Sequence, residues 1–443
     1  MKYLLFVYLF IGCLSAFSQD TVYQDFEADS AAQPQGGMAY LLGTFLETNL
    51  RKPIPFESKG VSGRSVVSAI VEPNGQVSNV KAIPGKFPEL DREAVRAFRL
   101  FNAWKPARKG GKSVRQQVNI PILFKPNEPF LYVDGAHISY FDANQKPVAE
   151  GSDQARYKQV APVDTNGLPT GDIIVYKGKG SNWKEDYRNP LVKNEIKQRG
   201  LERKTIYQIG YENGHKQWQG MVYSLDDTGA IVSRIYHENG RSKGPSLTYY
   251  PNGLVATRTS EVDGKQAITS WYMNGQIKQI RVIDPADPVL AHTRPQIMAL
   301  WDSTGTQLVR GGNGQAIYRG IRKSYGDTTR QTAFVEQGLY ADGFKQGTWT
   351  GRYADGSYFY EERYEKGTST GGKALKAGSD TIRYVVAEQQ FEFPGGMSGL
   401  GQFLSSNLTY PVSAQKAGVQ GKVFISFTVN TDGTLSDYEV IKG

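Results

Sequence analysis

The sequence contains very little cysteine and histidine, which excludes several kinds of chemistry. Of its 443 residues, one is cysteine and four are histidine. Cys13 lies within an apolar N-terminal run, so a chain cut before Gln19 has no thiol for a disulfide, for catalysis or for a metal site. The histidines lie far apart and form no i, i+4 pair: His137, His215, His237 and His292. The sequence therefore predicts neither a metal site nor a cofactor.

Motifs of known enzyme classes are missing as well. The sequence has no Gly-x-Ser-x-Gly elbow and no phosphate-binding loop that ends in Lys-Ser/Thr. The glycine clusters at residues 110–111 and 311–314 lack the strand-to-helix context that nucleotide binding requires. Glu361 and Glu362 are neighbours in a strand-like run, so their side chains point to opposite faces. We therefore predict a non-enzymatic protein without catalytic residues.

A hydrophobic run long enough to cross a membrane is also missing, although a shorter one opens the chain. This run extends from Tyr3 to Leu14, which is short of the roughly 20 residues of a spanning helix. Ala16 and Ser18 then occupy the −3 and −1 positions of a cut before Gln19, the layout of a secretory signal peptide. We predict a signal peptide at residues 1–18 and export to the periplasm or envelope.

Two alternatives remain for this N-terminal run. An uncleaved run would anchor the chain in the inner membrane through residues 3–18. A lipoprotein would instead carry a lipid on Cys13, although residues 10–12, Phe-Ile-Gly, are a poor approach to such a site. Sequencing the N-terminus of the mature protein decides between them, because a chain that starts at Gln19 has lost both anchors.

The composition favours strands and turns over long helices. There are 49 glycines, 26 tyrosines and 20 phenylalanines, a mixture that is typical of tight turns between aromatic strands. The length exceeds what one hydrophobic core usually holds and predicts about two to four domains. The net charge of +9 is spread over the whole chain, which favours a role in solubility over nucleic-acid binding.

One stretch of sequence occurs twice. Gly36-Gly37-Met38 near the start corresponds to Gly395-Gly396-Met397 near the end. From Phe45 and Phe403 onward the offset (403 − 45) stays at 358. Further pairs at this offset are Asn49/Asn407, Pro53/Pro411, Gly60/Gly418, Gly63/Gly421, Gly75/Gly433, Ser78/Ser436 and Ile83/Ile441. A constant offset over about forty residues indicates an internal repeat.

The first copy has the pattern of a small α+β domain. Apolar residues at helical spacing predict helices over Met38–Leu50 and Pro88–Phe101. Alternating and β-branched runs predict strands over Arg64–Val71, Gln76–Ile83 and Ser113–Phe124, with an Asn-Gly turn between the first two. A proline within the last strand marks it as an edge strand, because proline cannot donate a ladder hydrogen bond. The predicted order is helix, strand, strand, helix, strand.

Several short motifs of these copies are characteristic of a known family. They are Pro-Gly-Gly-Met at 394–397, Gly-Val-x-Gly-Lys/Arg before the first strand, Ala-Trp-Lys-Pro at 103–106 and Ile-Pro-Ile-x-Phe at 120–124. Together they resemble the C-terminal domain of TonB-type energy transducers, in the form common in Bacteroidetes. The resemblance covers residues 35–124 fully and residues 393–443 in part.

The resemblance implies a function for the last strand of the first copy. TonB-type domains pair this strand with a short segment of outer-membrane receptors, and its unpaired N–H and C=O groups suit such an addition. The residues predicted for this binding edge are Val114, Gln116, Val118, Ile120 and Phe124. The alternative is an edge that is capped or merely tolerated. A basic face beside it is interpreted as a solvated loop surface: Arg108, Lys109, Lys112 and Arg115.

Between the copies, the chain repeats a short unit of an aromatic residue, one to three further residues and Asn/Asp-Gly. The units begin at Tyr211, Tyr236, Tyr250, Tyr272, Tyr340 and Tyr353. Each glycine is predicted to supply the positive φ of a hairpin turn, while the aromatic rings stack across strands. The units resemble MORN-type repeats, most closely at Gly347–Tyr353. Such units stack into an all-β antiparallel sheet.

The predicted domain order follows from these patterns. It consists of a signal peptide (1–18), a flexible leader (19–33), a TonB C-terminal-like domain (34–125), MORN-like β-hairpin repeats (126–366), a linker (367–390) and a partial second TonB C-terminal-like domain (391–443). The second copy holds one helix and one hairpin, and a two-stranded sheet alone is marginal in water. We expect either that the sequence is a fragment of a longer reading frame, or that another chain completes this copy in a homo-oligomer.

These observations predict a non-enzymatic periplasmic or envelope protein that binds a partner by strand addition and is linked to transmembrane transport. The expected partner is a peptide of an outer-membrane transporter or receptor, or another envelope protein. One alternative is a membrane-anchored TonB energy transducer, although residues 19–35 are too short to span the periplasm. Another is a structural or antitoxin-like interaction scaffold built from the MORN-like sheet.

Overall fold

The computed structural model of the protein is mostly β-sheet with few helices. It describes residues 21–198, 204–284, 295–385, 392–421, 423–430 and 432–442. The predicted signal peptide at residues 1–18, which contains Cys13, lies outside the described residues. Its presence and its cleavage therefore stay predictions.

The first unit of the chain combines short helices with a small sheet. Its helices are α1, which is α-helical over Gly37–Tyr40 and Glu47–Asn49 and π-helical over Leu41–Leu46, α2 (Ile54–Glu57) and α3 (Pro88–Arg99). Its strands are β1 (Val22–Tyr23), β2 (Gln33–Pro34), β3 (Gly63–Val71), β4 (Val77–Ile83), β5 (Trp104–Lys105), β6 (Ala107–Lys109) and β7 (Lys112–Phe124).

The main sheet of this unit has the strand order β1-β7-β3-β4, with β6 also pairing with β7. Residues 63–71 of β3 pair antiparallel with residues 116–124 of β7. Helix α3 begins at Pro88, a position that needs no backbone N–H. It buries Leu90 and Phe98 at helical spacing on the side that contacts β3 and β4. The observed helix is two residues shorter than the predicted one.

Residues 21–34 pack along the first unit, which corrects the predicted flexible leader. Strand β1 pairs in parallel with Arg115 and Gln116 of β7. Strand β2 pairs with β5, and a bridge joins Ser30 to Arg108 between these two points. The segment is polar and aperiodic, as flexible chains are. Pairings of only two residues leave no periodic pattern in the sequence, which is why they were not predicted.

The predicted repeat region divides into two sheets. The first has six strands: β8 (Leu131–Val133), β9 (Ala136–Phe141), β10 (Pro147–Val148), β11 (Tyr157–Pro162), β12 (Ile173–Lys179) and β13 (Asn182–Asn189). Their order is β10-β9-β11-β12-β13, and β8 pairs with β9. The backbone N–H of Ile54 in α2 donates to the carbonyl oxygen of Thr165 at 2.9 Å, so this sheet also contacts the first unit.

The second sheet is an antiparallel meander of sixteen strands in which each strand pairs with its neighbours in sequence. The strands are β14 (Val192–Gln198), β15 (Lys204–Glu212), β16 (Trp218–Leu225), β17 (Ile231–Glu238), β18 (Arg241–Tyr249), β19 (Val255–Val262), β20 (Lys265–Trp271), β21 (Ile277–Ile283), β22 (Gln296–Trp301), β23 (Gln307–Arg310), β24 (Asn313–Lys323), β25 (Gln331–Ala341), β26 (Phe344–Tyr353), β27 (Tyr358–Glu365), β28 (Thr368–Lys376) and β29 (Ile382–Tyr384). Strands β28 and β29 correct the predicted linker, because they extend the sheet as far as Tyr384.

The turns of this meander follow the repeated aromatic and glycine pattern closely. Gly253, Gly275 and Gly356 all have positive φ, which glycine adopts without steric cost. Gly214 is the exception, because Lys216 has the positive φ at that turn. The tyrosines also do more than stack, since the hydroxyl of Tyr272 donates to the carbonyl oxygen of Trp301 at 2.9 Å. Each unit is therefore tied to the next hairpin by a hydrogen bond as well as by packing.

A cluster around Trp349 forms the hydrophobic centre of the C-terminal half of the meander. The Trp349 side chain is fully buried, and its indole N–H donates to the carbonyl oxygen of Leu339 at 3.0 Å. Tyr340 meets it edge-on, with ring centroids 5.1 Å apart. The Lys345 ammonium lies 4.1 Å from the Trp349 centroid. A Cβ on Gly338 would come within 2.3 Å of the indole, so glycine is required opposite this ring.

The second copy contains a helix and a hairpin. Its elements are α4 (Gly396–Asn407), α5 (Val412–Lys416), β30 (Phe424–Val429) and β31 (Leu435–Lys442). Helix α4 has no buried residue, and Phe403 and Leu404 are exposed where Phe45 and Leu46 of the first copy are buried. Completion of this copy by another chain stays a prediction.

Candidate functional site

The candidate site is the side of β7 that faces away from β3. On that side, β6 and β1 pair only with the N-terminal part of β7, up to Gln116. Within the described residues, no strand pairs there with Gln117 to Phe124. These eight residues present backbone N–H and C=O groups in a row, interrupted by Pro121, which has no N–H. An open row of this kind is a template for an added strand.

The opposite edge of the same sheet, β4, is blocked by side chains. The guanidinium of Arg99 donates to the carbonyl oxygen of Val80 at 3.0 Å, and the Asn102 side chain accepts from the N–H of Val77 at 3.1 Å. Asn79 has a φ of 46° where the register shifts against β3. Occupied backbone groups and an irregular register both prevent edge pairing. Strand β7 is therefore the better template of the two.

The five side chains predicted for the binding edge lie on the inner side of β7. Gln116 is 2% exposed and Phe124 is 3% exposed, and Val118 and Ile120 are buried with them, whereas Val114 is half-buried beside β6. This arrangement follows from the period-2 alternation of a strand. The predicted residues hold the strand on the core, and they do not face a partner. The outward side chains of the open stretch are Asn119, Pro121 and Leu123.

A shallow apolar groove runs beside the open stretch. It has a volume of about 320 Å³ and lies between α1 and the end of β7. The residues that line it are Leu42, Gly43, Leu46, Glu47, Leu50, Lys52, Pro121, Ile122, Leu123, Phe124 and Lys125. An ion pair of 2.8 Å between Lys125 and Glu47 lies at its rim. The groove can receive an apolar side chain from a strand added to β7.

The π-helical part of α1 forms one wall of this groove. Gly395 lies 359 positions after Gly36, but Phe403 lies 358 positions after Phe45, so the first copy has one extra residue between these points. A single inserted residue is accommodated in a helix as a π turn. Helix α4 of the second copy, without that residue, is a regular α-helix. The change of offset was a signal of this turn in the sequence, and we did not use it.

The opposite face of α1 is fixed to the sixteen-stranded sheet. The Tyr40 hydroxyl donates to the carbonyl oxygen of Gly275 at 2.7 Å, and burial raises the pKa of Tyr40 well above its ordinary value. The buried Asn49 side chain accepts from the N–H of Val255 at 2.9 Å and donates to the carbonyl oxygen of Phe45 at 2.9 Å. In a π turn, residues five apart stack on one side, so Tyr40 and Phe45 reach the same sheet turn.

Replacing Asn49 by alanine is expected to destabilise this contact by about 2 kcal/mol, because the buried N–H of Val255 loses its acceptor. Asn407 is the matched control, since it occupies the same position in the second copy and is exposed, although it makes the same helix hydrogen bond to Phe403. We expect Asn407→Ala to cost less than about 0.5 kcal/mol. Urea unfolding of both variants measures the difference, and equal costs would contradict the assigned role of Asn49.

The predicted basic face is partly neutralised by neighbouring acids. Arg115 donates two hydrogen bonds to Glu72, at 2.9 and 3.0 Å, and these hydrogen bonds lower the pKa of the Glu72 carboxyl. The Asp29 carboxylate accepts from the N–H of Gly110 at 2.7 Å, beside Lys109. The face is therefore in contact with acidic groups of the same chain, which differs from the predicted solvated loop surface.

Other chemistry was searched for in the described part of the chain. No group of three or more His, Cys, Asp or Glu side chains converges there in an arrangement that could hold a metal ion. Burial against Phe130 lowers the pKa of His137, which packs on that ring at 4.7 Å. Among the described helices, none combines the length and the apolar character that crossing a membrane requires.

Comparison with protein families agrees with the resemblance of the repeated segments. The model of the Gram-negative bacterial TonB protein C-terminal domain matches residues 53–126 and residues 406–443. The first match contains β7 and therefore the candidate edge, and the second lies in the second copy. The chain thus contains TonB C-terminal domain sequence at two places. The matched residues do not include the sixteen-stranded sheet.

Two curated relatives show a short region of similarity. They are proteins of Helicobacter pylori strains J99 and 26695, each named protein TonB, and each is 46% identical to this chain over 39 residues. The aligned region covers 9% of this chain and 14% of the length of each relative. The similarity is therefore that of a domain segment, and it does not extend over the whole relatives.

Proposed function

We propose that the protein is a non-enzymatic, exported envelope protein that binds an extended peptide of an outer-membrane receptor or transporter by strand addition at β7. The observation that supports this most is the open stretch from Gln117 to Phe124, which lies inside the first segment matched by the TonB C-terminal domain. Strand addition supplies affinity through backbone hydrogen bonds, and side-chain pockets supply specificity. In this proposal the protein takes part in transport across the outer membrane.

The geometry of the edge indicates what the partner segment would be like. A row of eight residues pairs with a segment of about seven or eight residues in extended conformation. Every second side chain of that segment faces the groove between α1 and β7. Leu42, Leu46 and Leu123 make the groove apolar, so an aliphatic or aromatic side chain fits there. Burying one such side chain contributes about 1.5 to 3 kcal/mol.

The remaining parts of the chain have supporting roles in this proposal. The sixteen-stranded sheet, which we interpret as built from MORN-like repeats, serves as a spacer or second binding face. Its contacts with α1 through Tyr40 and Asn49 hold the binding edge in a fixed position on the sheet. A second candidate, a scaffold that binds through the sheet itself, predicts that residues 126–385 determine partner capture, and the experiment below separates the two.

A photo-cross-linking amino acid placed at Asn119 in the full chain tests the proposal in cells. Asn119 is exposed in the open stretch, so we expect a cross-link to one extended segment of an outer-membrane receptor. Leu123→Asp, which puts a charge beside the apolar groove, is expected to lower the yield about tenfold. Ile83→Asp is the matched control, because Ile83 is an exposed apolar residue on the blocked edge β4, and its yield should equal that of the wild type.

Two results would contradict strand addition at β7. One is an equal cross-link yield from Leu123→Asp and from the unmodified chain. The other is a cross-link that maps to a folded surface and not to an extended segment. A partner captured only through cross-linkers in residues 204–284 or 295–385 would favour the scaffold function. Because both aspartate substitutions are at exposed positions, loss of folding does not complicate the comparison.

A further inference from the structure

The leader, residues 21–34, lies on the same side of β7 as the proposed binding edge. Its strand β1 pairs in parallel with β7, Val22 opposite Arg115 and Tyr23 opposite Gln116. These pairings occupy the outer side of β7 directly before the open stretch begins at Gln117. The chain itself therefore already adds a short strand to the edge that is proposed to receive a partner.

Contacts further along the leader hold it in this place. The N–H of Ala32 donates to the side-chain oxygen of Gln116 at 2.6 Å. The backbone of Ser30 exchanges hydrogen bonds with Arg108, at 3.2 and 2.9 Å. Residues 33–34 then pair with β5. The second half of the leader is thus well fastened, and only its first residues lie against the edge of β7.

Charge also matches between the leader and the surface beneath it. The leader carries Asp25, Glu27 and Asp29 and has no basic residue from Thr21 to Pro34. It runs beside the basic face, defined by Arg108, Lys109, Lys112 and Arg115. The Lys109 ammonium lies 4.7 Å from the Tyr23 ring centroid, and the N–H of Gly110 donates to Asp29 at 2.7 Å. This surface accepts an acidic, extended segment.

The part of the leader on β7 is weakly held. Val22 and Tyr23 are only half-buried, and a single 3₁₀ turn from Asp25 to Glu27 directs the chain away from Gln117. Phe26 in that turn is 83% exposed. Elements with few buried contacts and exposed backbone hydrogen bonds open with little free energy. The first residues of the leader can therefore leave β7 while the rest of the fold stays intact.

We propose that the leader is a cis-acting strap that occupies part of the partner's binding surface. The inference rests on the proposed function and specifies its partner. The partner is an extended segment whose apolar side chain enters the groove at Leu123 and whose acidic end replaces the leader at the basic face. Full-length addition along β7 requires the displacement of β1. If β1 is paired for about 90% of the time, the apparent affinity for the partner falls about tenfold.

A strap-release variant, Val22→Pro with Tyr23→Pro, tests the proposal in the full chain. The two prolines remove both N–H groups of β1 and the ring under Lys109, and neither residue is buried. A fluorescein-labelled peptide of residues 21–29 is titrated by fluorescence anisotropy. We expect it to bind the strap-release variant about tenfold more tightly than the wild type. Phe26→Ala is the matched control and should behave as the wild type, because that side chain is exposed.

The cross-linker at Asn119 gives the second readout, now with the natural partner. The yield should rise in the strap-release variant and stay unchanged in Phe26→Ala. Equal peptide affinity in the strap-release variant and the wild type overturns the strap, and so does an equal cross-link yield. Loss of the cross-link from every chain, with tighter peptide binding retained, overturns the proposed function instead. The two proposals can therefore fail separately.

Discussion

Trp349→Ala is expected to destabilise the C-terminal half of the meander by about 3 to 5 kcal/mol. The indole is fully buried among Tyr340, Lys345 and Gly338, and no described neighbour is placed to fill the space it leaves. Removing a buried tryptophan costs this much through lost transfer free energy and the remaining cavity. The carbonyl oxygen of Leu339 also loses its indole donor, which adds to the cost.

Hydrogen exchange measured by mass spectrometry shows where this loss occurs. Because each strand of the meander contacts its sequence neighbours, we expect lost protection in β24 to β28 and unchanged protection in β3 and β7. Trp183→Ala is the control. Trp183 is half-buried in the six-stranded sheet, with its ring 5.9 Å from Tyr140, and its loss should cost about 1 kcal/mol. Loss of protection throughout the chain would contradict the local role of Trp349.

Gly275→Ala is expected to separate the first unit from the sixteen-stranded sheet, at a cost of about 2 to 4 kcal/mol. Gly275 has a φ of 87°, which costs any other residue about 1 kcal/mol. A Cβ there would also come within 2.8 Å of the Phe45 ring and 2.9 Å of the Phe101 ring. Inserting an atom into so tight a contact adds about 1 to 3 kcal/mol.

Gly264→Ala separates the two contributions. Gly264 lies in a turn at the opposite end of the meander with a φ of 73°, and a Cβ there would meet nothing within 4 Å. It therefore shares the backbone strain and lacks the clash, and we expect a cost of about 1 kcal/mol. Urea unfolding gives the free energies, and the fluorescence of the buried Trp271 reports on the contact. If both substitutions had the same effect, the proposed docking of Phe45 under Gly275 would be wrong.

The sequence predicts local elements wherever a short pattern determines them. Asn74-Gly75 predicts a turn between two strands, and Gly75 has a φ of 81° between β3 and β4. The alternation in β7 contains enough information to show that Leu123 faces outward and Phe124 inward. We assigned the edge to the inward residues because the family motif, Ile-Pro-Ile-x-Phe, directed attention to them.

Other features depend on long-range contacts that no sequence pattern shows. Phe45 fits the core of the first unit at helical spacing, and nothing in that spacing indicates a sheet turn more than two hundred residues away. The pairing of Val22 with Arg115 involves a dipeptide that is too short for periodicity. Both features position the candidate edge, so the site could be located from the sequence while its surroundings could not.

The strand order of the meander has a consequence for how this protein unfolds. Consecutive strands pair in sequence order from β14 to β29, so the stability of the sheet is close to a sum of hairpins and their nearest-neighbour contacts. Such arrays depart from two-state behaviour. We expect a mechanical load applied to the C-terminal end of the sheet to detach one hairpin after another, each in a small step. The sheet then yields gradually under tension and does not rupture at a single threshold force.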